Sequence, residues 1–266
     1  MNLIPINNIN TPELIIYKQI RDNAFTPDNS FVADSPKVIN KILATEIEVK
    51  SILATQDYYN EFQDLVQKKG IKKLYVATKE VMSGIIGHKL HHNAMLHGTR
   101  PAQTALEDLD KHIIMLDKIT SSENVGSIAR SAAALGVHSY LLPQQSPHPF
   151  GRRALRVSMG HISLLKTHLY QDIISTLKSL KIMGYSVYGA EITENSIPLS
   201  NVTISEKWVL LMGHESKGLS QEVLDLCDRV VHIEMEPTVK SFNVAVASSI
   251  LMYKFTQNGK KNVNNL

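Results

Sequence analysis

Residues 230–255 read VVHIEMEPTVKSFNVAVASSILMYKF, and this stretch limits the fold more than any other. An apolar, strand-like run (Val230, Val231, Ile233) enters a loop marked by Pro237. Ser241 and Asn243 then introduce Val244 to Met252, apolar or small throughout. A helix with no polar face has to be buried. Ser241 and Asn243 can accept hydrogen bonds from the backbone N–H groups that its first turn leaves free.

The rest of the chain supplies the layers that could bury such a helix. From Lys111 onward, apolar runs alternate with helical patterns. HIIML, VHSYLL, ISLLKTH, YSVYGAEI, KWVLLMG and VVHIEM read as strands. VGSIARSAAALG, GRRALRVSMG, DIISTLKSLKIMG and SQEVLDLC read as helical segments between them. Near-continuous apolar strands separated by helices predict a parallel sheet covered on both faces, with ligands at the carboxyl ends of its strands. The first part alternates too. Thr11-Pro12-Glu13 is a helix-start signal for a helix to about Asn23, and Phe31 to Ala33 reads as a strand. Ser35-Pro36 opens a second helix, EIEVKSILAT and LYVAT are strands, and YYNEFQDLVQKKG and KEVMSGIIG are helices. The fold class is therefore α/β: a small α/β domain over residues 1–98, a Gly- and Pro-bearing linker over 99–109, and a larger parallel-sheet domain over 110–266. The polar tail QNGKKNVNN is expected to fray.

Composition excludes more than it identifies. No run approaches the roughly 18 apolar residues of a membrane span, and MNLIPINNINTPELI has no basic region before an apolar stretch, so the expected location is the cytoplasm. Cys227 is the single cysteine, which rules out an internal disulfide and a multi-cysteine metal site; in EVLDLCDRV it reads as a small buried hydrophobe. The formal charge is only +3, but its distribution is uneven. Between Glu123 and Asp172 there is no acidic residue, while Arg130, Arg152, Arg153, Arg156 and Lys166 all fall there. Arg152, Arg153 and Arg156 can share one side of a short helix and meet RNA phosphates. His88, His91, His92 and His97 suggest a histidine-bearing RNA surface rather than a metal site.

Three loop segments after predicted strands carry the polar chemistry. The first is Asn124-Val125-Gly126-Ser127-Ile128-Ala129-Arg130, in which Asn124 can cap a helix and Ala129, Ala132 and Ala133 predict tight packing around Arg130. The second runs from Gly213 to Ser220, with two glycines five apart and Glu215 between them. It lacks the Lys and Ser/Thr of a phosphate-binding P-loop, and Glu215 could be a surface charge or pair with an arginine such as Arg130. The third carries Ser241 and Asn243. A dinucleotide-binding oxidoreductase ranks low, because no G-x-G-x-x-G follows the first strand of the larger domain.

In this order the three segments resemble the motifs of the SpoU (TrmH-like) RNA 2′-O-ribose methyltransferases of the SPOUT superfamily. N-x-G-x-x-x-R-x-A is matched by Asn124, Gly126, Arg130 and Ala132. G-x-E-x-x-G-L-S is matched by Gly213, Glu215, Gly218, Leu219 and Ser220. The third motif is matched at Ile233, Met235, Ser241, Asn243, Val244 and Ala247, with Glu234, Pro237 and Phe242 standing where the family has proline, glycine and leucine. The first domain more loosely resembles the ribosomal-protein-L30e-like substrate-binding domain often attached to these enzymes.

The resemblance implies a SPOUT domain with a deep trefoil knot, a homodimer, S-adenosyl-L-methionine as cofactor, and RNA as substrate, rRNA ahead of tRNA. Of the site residues it implies, Arg130 contacts the ribose 2′-hydroxyl, and Asn124, Glu215, Ser241 and Asn243 orient the arginine and the ribose-phosphate. Cofactor contacts are expected mainly from Gly213, Ile233, Met235 and Phe242, with Ala190-Glu191 at the neighbouring strand end as a further candidate. Rendering any guanidinium half neutral at pH 7 costs on the order of 8 kcal/mol. Arg130 is accordingly expected to donate to the developing alkoxide rather than to act as a base. The alternative reading, prompted by Glu234 and Pro237, is an RNA-binding protein on the same fold that has lost methyl transfer.

Overall fold

The computed structural model describes residues 1–18 and 28–257. In chain order its strands and α-helices begin with β1 (Leu3–Pro5), β2 (Ser30–Asp34), α1 (Pro36–Leu43), β3 (Val49–Ala54), α2 (Gln56–Glu61), α3 (Gln63–Lys69), β4 (Lys73–Val76), α4 (Lys79–Ile86) and β5 (Ala94–Thr99). They continue with β6 (His112–Leu116), α5 (Ser122–Leu135), β7 (Ser139–Pro143), α6 (Arg152–Val157), β8 (Lys166–Tyr170), α7 (Ile173–Ile182) and β9 (Ser186–Ala190). The last are β10 (Ile197–Pro198), β11 (Trp208–Met212), α8 (Gln221–Leu224), β12 (Arg229–His232) and α9 (Val244–Gln257). Two compact units result, and neither is continuous in sequence: Met1–Ala102 with Pro149–Ser163, and Gln103–His148 with Leu164–Leu266.

The first unit is a mixed five-stranded sheet in the order β1-β4-β3-β5-β2. Strand β5 is not among the strands expected from the sequence, and its last residue, Thr99, falls in the expected linker. It pairs antiparallel with both β2 and β3. Gly98 belongs inside it because a Cβ there would lie 2.8 Å from the Phe31 ring and 2.9 Å from the Glu48 carbonyl oxygen. The expected single helix over YYNEFQDLVQKKG is two, broken at Phe62, whose φ of −116° departs from helical geometry. The start signal at Thr11-Pro12 leads into a 3-10 turn over Pro12–Lys18, and the rest of that expected helix, to Asn23, lies outside the described residues, as does the tail from residue 258.

Helix α6 belongs to this unit. Arg152 Nη2 donates to the buried Asp34 Oδ2 at 2.7 Å, and Phe150 meets Phe31 edge to face. Gly160, at φ +79°, lets the chain pass so near α1 that a Cβ would lie 3.0 Å from the Val38 carbonyl oxygen.

The second unit holds a seven-stranded sheet in the order β10-β12-β9-β11-β6-β7-β8, parallel at every pairing. Its central strands are buried on both faces, which is why HIIML and WVLLM are apolar without alternation. The ISLLKTH run divides into a 3-10 turn over His161–Leu164 and strand β8, and the two-residue β10 went unrecognised in the sequence. After β8 the chain returns to the other side of β6, and such a reversal opens a crevice at the carboxyl ends of the strands. Helix α9 packs against α5 and β11. Small residues make this close approach feasible, and Ser249 Oγ donates to Ser131 Oγ at 2.7 Å. Leu251, Met252 and Phe255 point inward, and full burial of such side chains is worth about 1.5–3 kcal/mol each. Cys227 is half-buried, and burial pushes its thiol up to about 12, so it is inert as a nucleophile at neutral pH.

Candidate active site

Three loops at the carboxyl ends of β6, β11 and β12 come together in the second unit. In the first loop the helix cap is Ser121, whose Oγ accepts from Asn124 N at 3.3 Å. Asn124 is therefore not the cap expected from the sequence. It lies within the first turn of α5, and its amide is released for longer-range bonds. Asn124 Nδ2 donates to Glu215 Oε1 at 2.9 Å, and Asn243 Nδ2 donates to Asn124 Oδ1 at 3.2 Å. Asn243 Oδ1 accepts from Ala245 N at 2.9 Å and Val246 N at 3.3 Å, so Asn243 is the residue that caps α9. One hydrogen-bonded chain, Glu215 to Asn124 to Asn243, thus ties the three loops, with each amide turned one way by an acceptor-only carboxylate at its end.

Glu215 also accepts from Thr120 N, Thr120 Oγ1 and Ser121 N, each at 3.4 Å. These partners, which no motif in the sequence marks, sit where α5 presents its positive end. Partial burial pushes the Glu215 pKa up, but the bonds from Asn124, Thr120 and Ser121 outweigh it and hold the carboxyl below its ordinary range. The alternative pairing of Glu215 with Arg130 is not formed. Arg130 is exposed on α5, and among the described residues it makes no hydrogen bond or ion pair.

A cleft of about 400 Å³ opens beside this chain. Gly213, Ile233, Met235, Phe242 and Ala190, singled out separately in the sequence, all line it, as do Glu215 and Ser241. Arg130, Asn124 and Asn243 are not among the lining residues. The apolar wall is completed by Met212, Val244, Ala247 and Leu251. Its size and its mixture of apolar side chains with exposed loop backbone suit a nucleoside-bearing cofactor. Glu234 does not obstruct it: the carboxylate accepts from Ser200 N at 3.1 Å, and neither Glu234 nor Pro237 lines the cleft. The loop over residues 213–220 folds back on itself, with His214 and Gly218 bridged and His214 Nδ1 accepting from Ser216 N at 2.9 Å. Asp117, at the end of β6, is almost wholly buried, and burial pushes its carboxyl up.

The basic trio lies in the first unit. Arg152 is turned inward to Asp34, while Arg156 is 38% exposed with its Nε 3.8 Å from Asp34 Oδ1, and Arg153 is exposed. His97 is on β5, where its Nε2 meets Ser30 Oγ at 2.8 Å. Burial, aided by Lys50, pushes its imidazole down to about 4. It is thus part of a packed polar cluster and not of the histidine surface expected from the sequence. Among the described residues no group of three or more His, Cys, Asp and Glu could hold a metal ion, and no helix is long and apolar enough to cross a membrane.

Comparison with known proteins agrees with this geometry. The sequence profile of the SpoU rRNA Methylase family matches residues 111–253, more than half of the chain. An uncharacterized tRNA/rRNA methyltransferase of Mycobacterium tuberculosis is 28% identical over 234 residues, covering 86% of this chain and 81% of that one. The AdoMet-bound rRNA methyltransferase of Sinorhizobium meliloti has a similar fold, with a TM-score of 0.83 at 19% identity over 96% of this chain and 98% of that one. An RNA 2′-O ribose methyltransferase structure aligns with a TM-score of 0.79 at 18% identity over 97% of this chain and all of that one. With its three motifs tied by one hydrogen-bonded chain beside the cleft and its family profile matched over residues 111–253, this chain belongs to the SpoU rRNA methylase family of S-adenosyl-L-methionine-dependent RNA methyltransferases.

Proposed function

We propose that the protein transfers a methyl group to a ribose 2′-hydroxyl of RNA, with rRNA the favoured substrate over tRNA. The observation that carries this reading is the Glu215–Asn124–Asn243 chain beside the cleft, which holds three loops in one arrangement. The cofactor would lie in the cleft, its adenine against Phe242 and the apolar wall of Ile233 and Met235, with backbone bonds from the Gly213 loop. Bound there, S-adenosyl-L-methionine supplies an electrophilic methyl group.

The protein's own task is to hold the hydroxyl and stabilise the charge that develops on its oxygen. Arg130 is the donor for that oxygen or the adjacent phosphate, its exposed and unpaired guanidinium supporting the role, and the proton leaves to water or a phosphate oxygen. Asn124, Glu215, Ser241 and Asn243 hold the surrounding loops and the ribose-phosphate. Arg153 and Arg156 meet phosphates farther along the RNA, and Arg152, through Asp34, holds the helix that presents them. The first unit would act as the L30e-like substrate-binding domain.

Because Arg130 lies outside the cleft lining of its own chain, the reading includes a homodimer in which each cleft is completed by the other protomer's arginine. Val246 and Tyr253, exposed on α9 beside α5, would be covered there. The family's trefoil knot is part of the same reading, supported by β12 lying beyond β9 while α9 returns to α5. A cytoplasmic location is part of the same reading.

The test is methyl transfer from labelled S-adenosyl-L-methionine to total RNA of cells lacking the protein, with the modified nucleoside identified by mass spectrometry. Wild type should yield a 2′-O-methyl nucleoside and Arg130→Ala none. A base-methylated product would overturn the ribose assignment. Arg130→Lys with activity that rises through the lysine pKa would overturn the donor role, since an ammonium donor loses activity there. In mixtures of Arg130→Ala with Glu215→Ala protomers, partial recovery of transfer is expected from a shared site, and its absence would refute the dimer.

A further inference from the structure

Glu191 follows directly on β9, and its carboxylate lines the cleft without belonging to the chain of Glu215, Asn124 and Asn243. Oε2 accepts from Leu219 N at 3.0 Å and Oε1 from Ile192 N at 3.1 Å. A carboxylate offers about four acceptor positions, so each oxygen keeps one. Among the described residues no cation pairs with it. Gly218 is shaped around this group: a Cβ there would lie 1.8 Å from Glu191 Oε2, and φ is +62°. Apolar side chains, among them Ile233, Met235, Phe242 and Val244, line the same cleft, so a ligand seated there would shield the carboxylate from water and favour a donor on its spare acceptors.

We propose that Glu191 positions the cofactor by accepting hydrogen bonds from the two hydroxyls of its ribose. The inference rests on placement of the cofactor in this cleft. Two parallel acceptors at the carboxyl end of a central parallel strand, next to a glycine-bearing loop, match a vicinal diol, and the same solution holds nucleotide riboses in other parallel-sheet folds. The second task of Glu191, holding Leu219 N, keeps the 213–220 loop against the ligand it orients.

Titration calorimetry with S-adenosyl-L-homocysteine and its 2′-deoxy and 3′-deoxy analogues separates these tasks. For wild type, loss of either hydroxyl should weaken binding roughly 10-fold or more, and Glu191→Ala should weaken the parent ligand roughly 10- to 100-fold. Glu191→Ala should then bind all three ligands alike. Equal hydroxyl penalties in wild type and Glu191→Ala would overturn the proposal, leaving Glu191 as a loop anchor only. Glu191→Gln, which keeps an acceptor for Leu219 N, should retain the fold by circular dichroism and still show a reduced hydroxyl penalty. Phe242→Ala tests the placement itself, since Phe242 is 41% exposed and its loss should weaken all three ligands together. If Phe242→Ala changes nothing, the ligand lies elsewhere and both the placement and the role of Glu191 fall. If Phe242→Ala weakens binding while the hydroxyl penalties are unmoved by Glu191→Ala, only the role of Glu191 falls.

Discussion

Replacing Asn124 by aspartate changes one atom and sets two carboxylates against each other. Asn124 Nδ2 now donates to Glu215 Oε1 at 2.9 Å, whereas the bond from Asn243 to Asn124 Oδ1 would survive the substitution. Loss of a hydrogen bond to a charged acceptor costs about 1.5–3 kcal/mol. Two unit charges at that separation repel by ~1.4 kcal/mol in a water-like dielectric and by ~6 kcal/mol at an effective dielectric of 20. The pair is at the exposed end of the loops, so the lower figure governs. The positive end of α5 returns about 0.3–1 kcal/mol to a new anion in its first turn. The expected net destabilisation at pH 8 is about 2–4 kcal/mol. A shared proton relieves it, so the carboxyl pair titrates with one pKa raised above the unfolded value of about 4. The sign follows: the variant's deficit is small below pH 4, grows as pH rises toward the raised folded value, and is level above it. Trp208, the single tryptophan, is buried in β11 of the same unit and reports its unfolding by fluorescence in urea. A deficit below about 0.5 kcal/mol at pH 8, or one that does not change between pH 4 and pH 8, would refute the hydrogen-bonded chain as the link between these loops.

Two further perturbations address the first unit. His97 has its pKa pushed down to about 4 by burial, so its contribution to stability is full above the unfolded value near 6.5 and is lost as pH falls toward 4. Calorimetry should show the wild type losing stability faster than His97→Gln across that window, and parallel pH curves would contradict the buried placement. Arg152→Ala leaves the Asp34 carboxylate, 2% exposed, without its 2.7 Å partner. Breaking such a pair costs about 3–5 kcal/mol, readable in urea unfolding by circular dichroism, and a cost below 1 kcal/mol would mean the pair is solvated.

The alternation of apolar runs with helical patterns from Lys111 onward was enough to predict the parallel sheet, because strands buried on both faces must be apolar throughout. The three polar segments were legible as well, since Asn, Gly, Glu and Ser at strand ends have few structural reasons to recur in that order. Strand β5 was hidden because its glycine and histidine resemble a linker, and only the Phe31 ring lying over Gly98 explains them. The break at Phe62 was hidden because the helical pattern continues across it.

The sequence alone determined which side chains could do chemistry and that the strands of the larger domain had to be covered on both faces, since residue type and local periodicity answer both questions. Tertiary structure decided the partners. Asn124 looked like a helix cap until Ser121 took that role and turned its amide to Glu215 and Asn243, residues 91 and 119 positions away. Arg152 looked like an RNA contact until the fold brought it to Asp34, 118 residues earlier. Hydrogen bonds and ion pairs act over about 3 Å in space, and nothing in local periodicity encodes which distant segments a sheet will bring that close.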